Sequence, residues 1–278
     1  VVINSTNQMN LSFLDSIEGL DSCLVVGGTG INAATGVVNV LYGKANPSGK
    51  LADTYAYDFK TNPNYVNSGS TGPSYYSNGY GLYPYDGSTT NPNVGNSPKY
   101  EGLAYLDYVE GIYVGYKWYE TADAEGYYDD VGLDIYKKER RGYEAIVQYP
   151  FGYGQSYTSF KHSLLGLYKK GEENEVSSLT NFQKDDTLVA KVYIENTGNV
   201  AGKEAVELYF TPPYTKGGIE KSAVNLLDFR KTEKLEPGIG QVFDIEFKLS
   251  DLASYDTYDK NNNGFMGYEV EEGKYTIS

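Results

Sequence analysis

A chain of 278 residues, 40% of them apolar, is long enough to bury one large or two modest cores. Its formal charge of −14 excludes a nucleic-acid binder, which needs clustered Lys and Arg, and argues against an anionic membrane surface. No apolar run reaches the ~18 residues of a membrane span, and a single cysteine, Cys23, excludes an internal disulfide while leaving the redox compartment open.

The chain opens on Val1-Val2-Ile3, which reads as a buried strand met in mid-domain. No targeting signal is recognisable, so cytoplasmic and secreted locations both stay open. Leu11, Leu14 and Ile17 recur at helical spacing and predict a helix over 11–20, with Asn10 as its N-cap. Leu24-Val25-Val26 is a second buried strand, and Cys23 beside it is expected in the core. A helix follows from about Ile31 to Tyr42, with Ile31, Ala34, Val38 and Leu41 on one face and Gly43 as its stop. Leu51-Ala-Asp-Thr54 predicts a third strand. Strand, helix, strand, helix, strand is the order of a parallel sheet with crossover helices, here incomplete.

Residues 56–104 are dominated by Asn, Gly, Ser, Pro and Tyr and read as a long loop insertion, functional or mobile. Ile112, Val114, Tyr116 and Trp118 alternate with their neighbours and predict a strand. Residues 122–147 carry mixed charge, including Lys137-Lys-Glu-Arg-Arg141, and read as a second surface insertion. Beyond about Phe160 only strands are expected. Leu188, Ala190, Val192 and Ile194 form one alternating face, Val206, Leu208 and Phe210 a second, and Phe243, Ile245, Phe247 and Leu249 a third. That spacing predicts a β-sandwich over 161–278, with 1–160 as the preceding α/β part.

Chemistry is harder to find. Gly28-Thr-Gly30-Ile-Asn-Ala33 fits a dinucleotide fingerprint with Asp53 twenty residues on, but no further strand–helix units follow to build a nucleotide domain. No cofactor is therefore expected. The only histidine, His162, lies in strand-like surroundings, and no nucleophile elbow is present. Asp259-x-Asn261-x-Asn263-Gly264 copies the first half of a calcium loop, yet its twelfth position is Val270; a polar hairpin turn is expected, and no metal. Glycoside cleavage needs two carboxylates, and Glu110, Glu120, Asp123 and Glu125 surround the single Trp118 in sequence. Thirty tyrosines serve equally as strand formers or as sugar-facing rings. Tyr75, Tyr76, Trp118 and Glu120 are the substrate-side candidates.

Several segments together resemble the C-terminal portion of glycoside hydrolase family 3, the β-glucosidase and exo-glycosidase family. They are Val1-Val-Ile-Asn-Ser5, Val37-Val-Asn-Val-Leu-Tyr-Gly43 running into Asn46-Pro-Ser-Gly-Lys-Leu51, Glu110-Gly-Ile-Tyr-Val-Gly-Tyr116, and Tyr149-Pro-Phe-Gly-Tyr-Gly154 with Ser156-Tyr-Thr158. Asn196-Thr-Gly-Asn-Val-Ala-Gly-Lys-Glu204, Pro212-Pro213 and Leu235-Glu-Pro-Gly238 resemble its fibronectin type III-like domain. The resemblance implies an incomplete, mostly parallel α/β sandwich domain followed by a fibronectin-like β-sandwich. It implies a retaining parent enzyme acting on a β-linked glucoside or oligosaccharide, with its nucleophilic Asp on a separate (β/α)-barrel and its acid/base Glu ahead of this segment. Neither motif occurs here, so no catalytic residue is assigned and this segment alone is expected to be inactive. The turn Gly30-Ile-Asn-Ala-Ala34 departs from the family's usual Gly-Gln-Glu-Gly-Gly. The barrel of the same enzyme, upstream in the usual family order or downstream in a permuted one, is the implied partner; a homo-oligomer is left open. The alternative from the residues alone is a non-catalytic carbohydrate-binding or interaction module using Tyr75, Tyr76, Tyr80 and Trp118.

Overall fold

The computed structural model describes residues 1–28, 30, 33–67, 108 and 110–278. In the first part, β1 (Val2–Ile3) and β2 (Leu24–Val25) pair in parallel, Val2 opposite Leu24 and Ile3 opposite Val25. Between them Leu11 and Leu14 are buried at the start of a 3-10 helix, Ser12–Ser16, while Ile17 is exposed. The helix expected over 11–20 is thus a single tight turn. Gly19, at a left-handed φ of 76°, bars its continuation.

After α1 (Ala33–Leu41) the expected third strand at 51–54 is displaced. The strand is β3 (Tyr55–Ala56), where Ala56 is 1% exposed. Next come α2 (Tyr116–Ala124), the hairpin of β4 (Gly132–Ile135) and β5 (Lys138–Arg141), α3 (Tyr143–Ile146) and β6 (Val147–Tyr149). β6 pairs antiparallel with β3. Segment 122–147, expected on the surface, in fact buries Ala122, Tyr128, Ala145, Ile146 and Val147.

The strand expected at 112–119 is helix α2. Gly111 and Gly115 hold φ of 55° and 58°, which breaks an extended chain, and Gly115 is the helix N-cap. From there Tyr119 and Ala122 fall three apart on the buried face. Because Tyr occupied both the inward and outward positions of the supposed strand, the alternation carried little polarity contrast.

The remaining strands are β7 (Phe160–Lys169), β8 (Thr187–Asn196), β9 (Ala205–Thr211), β10 (Asn225–Lys231), β11 (Gly240–Lys248), β12 (Ser254–Asp256), β13 (Gly267–Glu269) and β14 (Thr276–Ile277). One antiparallel sheet has the order β11-β8-β7 and a second the order β10-β9-β14, with β12-β13 as a separate hairpin. Leu188, Ala190, Val192 and Ile194 from the first sheet pack with Val206, Leu208 and Phe210 from the second, and with Ile245 and Phe247. Ile194 and Ile245 are fully buried, each worth about 1.5–3 kcal/mol of transfer free energy. The period-two alternation expected from sequence is the one observed.

Two features bear on function. Among the described residues no helix is long and apolar enough to cross a membrane. The first part also leaves apolar side chains open: Val1 and Val2 on and beside β1 are each 44% exposed, and Val38 and Leu41 on α1 are 45% and 56% exposed.

Candidate functional site

The two sequence motifs singled out above, residues 46–51 and 149–158, fold into one structure. Gly43 ends α1 in a left-handed turn, with the Lys44 and Ala45 amides donating to Asn39 O. This delivers Asn46 to the second motif. Its Oδ1 accepts from Ser156 Oγ and the Tyr157 amide, both at 2.8 Å, and its Nδ2 donates to Ala201 O at 3.2 Å. Leu51 and the second motif exchange backbone bonds, Leu51 N to Tyr153 O and Gly152 N to Leu51 O, each 2.8 Å. Gly154 lies so close to Gly49 that a Cβ would sit 2.2 Å from its carbonyl oxygen.

From this platform Lys50 crosses to the sandwich. Its Nζ donates to Gly154 O at 3.0 Å and pairs with Glu204 Oε1 at 2.9 Å. Burial pushes the Glu204 carboxyl up, and hydrogen bonds from His162 and Lys50 more than offset this, holding it below the ordinary carboxylate range. Beside it Thr158 Oγ1 donates to Asn196 Oδ1 at 2.7 Å. Fully buried Asn196 also accepts from the Gly198 amide and donates to Val200 O and Leu235 O. A Cβ on Gly198 or Gly202 would strike Thr158 Oγ1 at 2.2 Å or Asn46 Nδ2 at 2.6 Å. The motifs are therefore spent on joining two bodies of chain. Helix α2 adds a second join: the Leu226 amide donates to Tyr116 Oη, and the Ala223 amide to Thr121 Oγ1, each at 2.9 Å.

The substrate-side candidates are not gathered at one point. Trp118 and Glu120 lie two apart on α2, a spacing that turns side chains away from one another. Trp118 Nε1 donates to Thr61 O at 2.8 Å, and its ring packs against the cluster of Ala56, Tyr119 and Val147. Glu120 accepts from Tyr143 Oη; burial pushes its carboxyl up, against the pull of that bond. Tyr75, Tyr76 and Tyr80 lie outside the described residues, as do Thr29, Ile31 and Asn32 of the glycine-rich turn. His162 is on β7, half-exposed. Cys23 is only partly buried, at the edge of the Leu11 cluster. The 259–264 turn joins β12 to β13, and it is Glu269 that accepts from the Asn261 and Asn263 amides. Among the described residues no group of three or more His, Cys, Asp and Glu side chains is placed to hold a metal.

Sequence reasoning missed the anchor of the β4–β5 hairpin. Asp15 Oδ1 pairs with Lys138 Nζ at 2.7 Å, and its Oδ2 with Arg140 Nη2 at 2.6 Å and Tyr57 Oη at 2.9 Å. No local signal links residues 123 or more positions apart in this way. Burial pushes the Asp15 carboxyl up, but the bonds from Lys138 and Tyr57 and the charges of Arg140 and Lys138 bring it below its ordinary value. A carboxyl with a lowered folded value stabilises above its unfolded pKa of ~3.9 and loses that contribution as pH falls through the lowered value. Asp15→Asn is therefore expected to cost about 1–2 kcal/mol at pH 7 and progressively less as pH falls below the unfolded carboxylate pKa of ~3.9, measured by urea unfolding over that range.

An open cavity of about 1000 Å³ borders this region, lined in part by Leu24, Val25, Leu41, Leu51, Tyr149 and Tyr153. Leu41 belongs to α1, and Leu24 and Val25 form β2.

Comparison with known proteins agrees with this architecture. The family model described as "Glycosyl hydrolase family 3 C-terminal domain" matches residues 1–157, and that of the "Fibronectin type III-like domain" matches residues 204–278. The chain is 30% identical to Beta-glucosidase A of Butyrivibrio fibrisolvens over 99% of its own length and 27% of the relative's. It is also 30% identical to a Beta-glucosidase of Ruminococcus albus, over 100% of its own length and 22% of the relative's. A solved β-glucosidase from Paenibacillus barengoltzii superposes with a TM-score of 0.69 at 27% identity, covering 100% of this chain and 23% of that one. For β-glucosidase 3B of Thermotoga neapolitana in complex with glycerol the values are 0.64, 28%, 100% and 28%. The chain thus spans about a quarter of the length of these relatives. The chain belongs to glycoside hydrolase family 3 and corresponds to the C-terminal portion of its β-glucosidase-like members, the α/β segment joined to a fibronectin type III-like sandwich.

Proposed function

We propose that this chain is the bracing segment of a β-glucosidase whose nucleophilic carboxylate sits on a barrel domain of the same enzyme and whose acid/base carboxylate also lies outside this segment. Its α/β part, up to about residue 160, completes a sheet begun elsewhere in that enzyme, and the sandwich holds it in place. The observation that carries the reading is the open apolar face. A parallel pair of two-residue strands with Val1 and Val2 44% exposed, and a cavity of about 1000 Å³ lined in part by Leu24, Val25 and Leu41, leave apolar surface to be covered. A β-linked glucoside is the proposed substrate of the whole enzyme, after the names of its relatives. In this reading Trp118 and Glu120 act by fixing α2, and any contact of Tyr75 and Tyr76 with sugar belongs to the assembled enzyme.

Co-expression with the rest of the same enzyme, whether its barrel is encoded ahead of or behind this segment, tests the proposal. A complex is expected that survives size-exclusion chromatography and is lost in the double variant Val38→Asp, Leu41→Asp. If the segment purifies alone while the barrel region is folded and present, the proposal fails. A stand-alone carbohydrate-binding role finds no favouring observation at Trp118, whose indole N–H is already engaged.

A further inference from the structure

The turn between β12 and β13 carries a sequence motif that the junction does not absorb. Its residues match the opening of a calcium loop at the first, third, fifth and sixth positions: Asp259, Asn261, Asn263 and Gly264. The backbone follows the same plan. Gly264 N donates to the two Asp259 carboxylate oxygens at 3.1 and 3.2 Å, Asn263 N to Asn261 Oδ1 at 3.2 Å, and Phe265 N to Asn263 Oδ1 at 2.8 Å. Gly264 takes a left-handed φ of 82°, the sharp bend that this position requires. In sequence the motif fails at its twelfth position, Val270, which is no carboxylate.

The folded chain supplies a carboxylate one position earlier. Glu269, at the end of β13, meets the turn, and its Oε2 accepts from Asn261 Nδ2 at 3.1 Å and from Asn263 Nδ2. Its other oxygen is an independent observation. Glu269 Oε1 shows less than 1 Å² to solvent and has no hydrogen-bond partner. An enclosed carboxylate oxygen without a donor is costly, because buried charge is tolerated where it is paired or holds a metal. The nearby charges are engaged elsewhere. Lys260, the one cation of the turn, carries its ammonium 5.9 Å from the Tyr258 ring centroid. Asp256, 1% exposed, accepts from the Tyr258 and Lys260 amides.

We propose that the β12–β13 turn is a calcium site in which Glu269 takes the part of the missing twelfth residue. Glu269 Oε2 orients the two amides, and Oε1 ligates the cation. Asn261 and Asn263 each spend one Oδ1 lone pair on a backbone amide and keep the other for the ion. Asp259 and the Phe265 carbonyl, at the first and seventh positions, complete the protein's share, and water fills the rest of the about six to eight places that calcium takes. Every donor is oxygen, which suits calcium over zinc or copper. The charges of Asp259 and Glu269 balance the cation, and so few carboxylates put the affinity at the weak end, a Kd of about 0.1–1 mM. The ion fastens a hairpin of three-residue strands that forms its own two-stranded sheet, an element marginally stable by itself.

Calorimetric titration of the chelator-treated full chain with calcium chloride tests this, together with hydrogen exchange. One saturable site with a Kd of about 0.1–1 mM is expected, with magnesium at least about tenfold weaker because it demands a smaller, near-octahedral shell. Glu269→Gln and Asp259→Asn should each weaken calcium binding about tenfold or more, and Val270→Ala should leave it unchanged, with far-ultraviolet circular dichroism checking that each variant is folded. The exchange measurement needs no variant. At calcium about ten times the Kd, protection of the Gly264 and Phe265 amides should rise about tenfold, with Val192 in the core unchanged. Unchanged protection of those two amides at about 10 mM calcium, magnesium binding as tight as calcium, or parental affinity in folded Glu269→Gln overturns the proposal.

Discussion

Asn196→Ala is expected to remove about 3–5 kcal/mol of stability, because it strands several buried polar groups at once and each costs about 1–3 kcal/mol unpaired. The side chain is fully buried at the end of β8. Removing it leaves Val200 O without its donor at 2.9 Å and Thr158 Oγ1 and the Gly198 amide without their acceptor at 2.7 and 3.1 Å, while Leu235 O loses one donor and keeps the Gly202 amide at 3.0 Å. Asn196→Asp separates the two halves of this effect. A carboxylate still accepts from Thr158 and Gly198, but it cannot donate to the two carbonyls and stays charged in a closed site. Urea unfolding followed by far-ultraviolet circular dichroism measures both variants. A loss below about 1 kcal/mol for alanine is a surface-like value and would show that the junction is not closed to water.

Gly154→Ala is expected to cost about 3 kcal/mol, since a side chain forced into a packed site displaces its surroundings. The new methyl would lie 2.2 Å from Gly49 O and 3.2 Å from Gly49 C, so backbone rather than a flexible side chain must move. That movement pulls against the paired Leu51 and Tyr153 and against Lys50, whose ammonium is held by Gly154 O. Gly36→Ala supplies the opposite sign. Gly36 lies inside α1 with open space around its Cβ position, so alanine should stabilise the helix by roughly 0.5–1 kcal/mol. Thermal midpoints of the two variants should therefore move in opposite directions from the parent.

What could be read from the chain followed how locally the signal is encoded. The sandwich strands were legible because Leu188, Ala190, Val192 and Ile194 face one core and alternate with half-buried Lys191, Tyr193 and Glu195, with Val189 the buried exception. The parallel pairing of β1 with β2 also followed from local pattern. The α2 helix was misread as a strand because tyrosine occupied both phases of the alternation, and the deciding residues were Gly111 and Gly115. The β3–β6 pairing and the Asp15 anchor join residues some ninety or more positions apart, and nothing in either stretch names the other. At the seam, both motifs were recognised as markers, but the bond from Asn46 to Ser156 and the crossing of Lys50 to Glu204 exist only once the chain has closed on itself. Asn196 was read as the start of the 196–204 motif; its role in holding Thr158 depends on burial that a motif does not reveal.

Purified alone, the chain should hydrolyse an aryl β-glucoside no faster than the buffer blank, because the residues that looked most chemical are engaged in holding the fold. Trp118 is bonded to Thr61 and Glu120 to Tyr143. Initial rates over a range of substrate and protein concentrations make the test. A rate that stays at the blank as protein increases is the predicted result. Saturable turnover that scales with protein and is abolished by Glu120→Gln would contradict it, and would place a catalytic carboxylate on this segment.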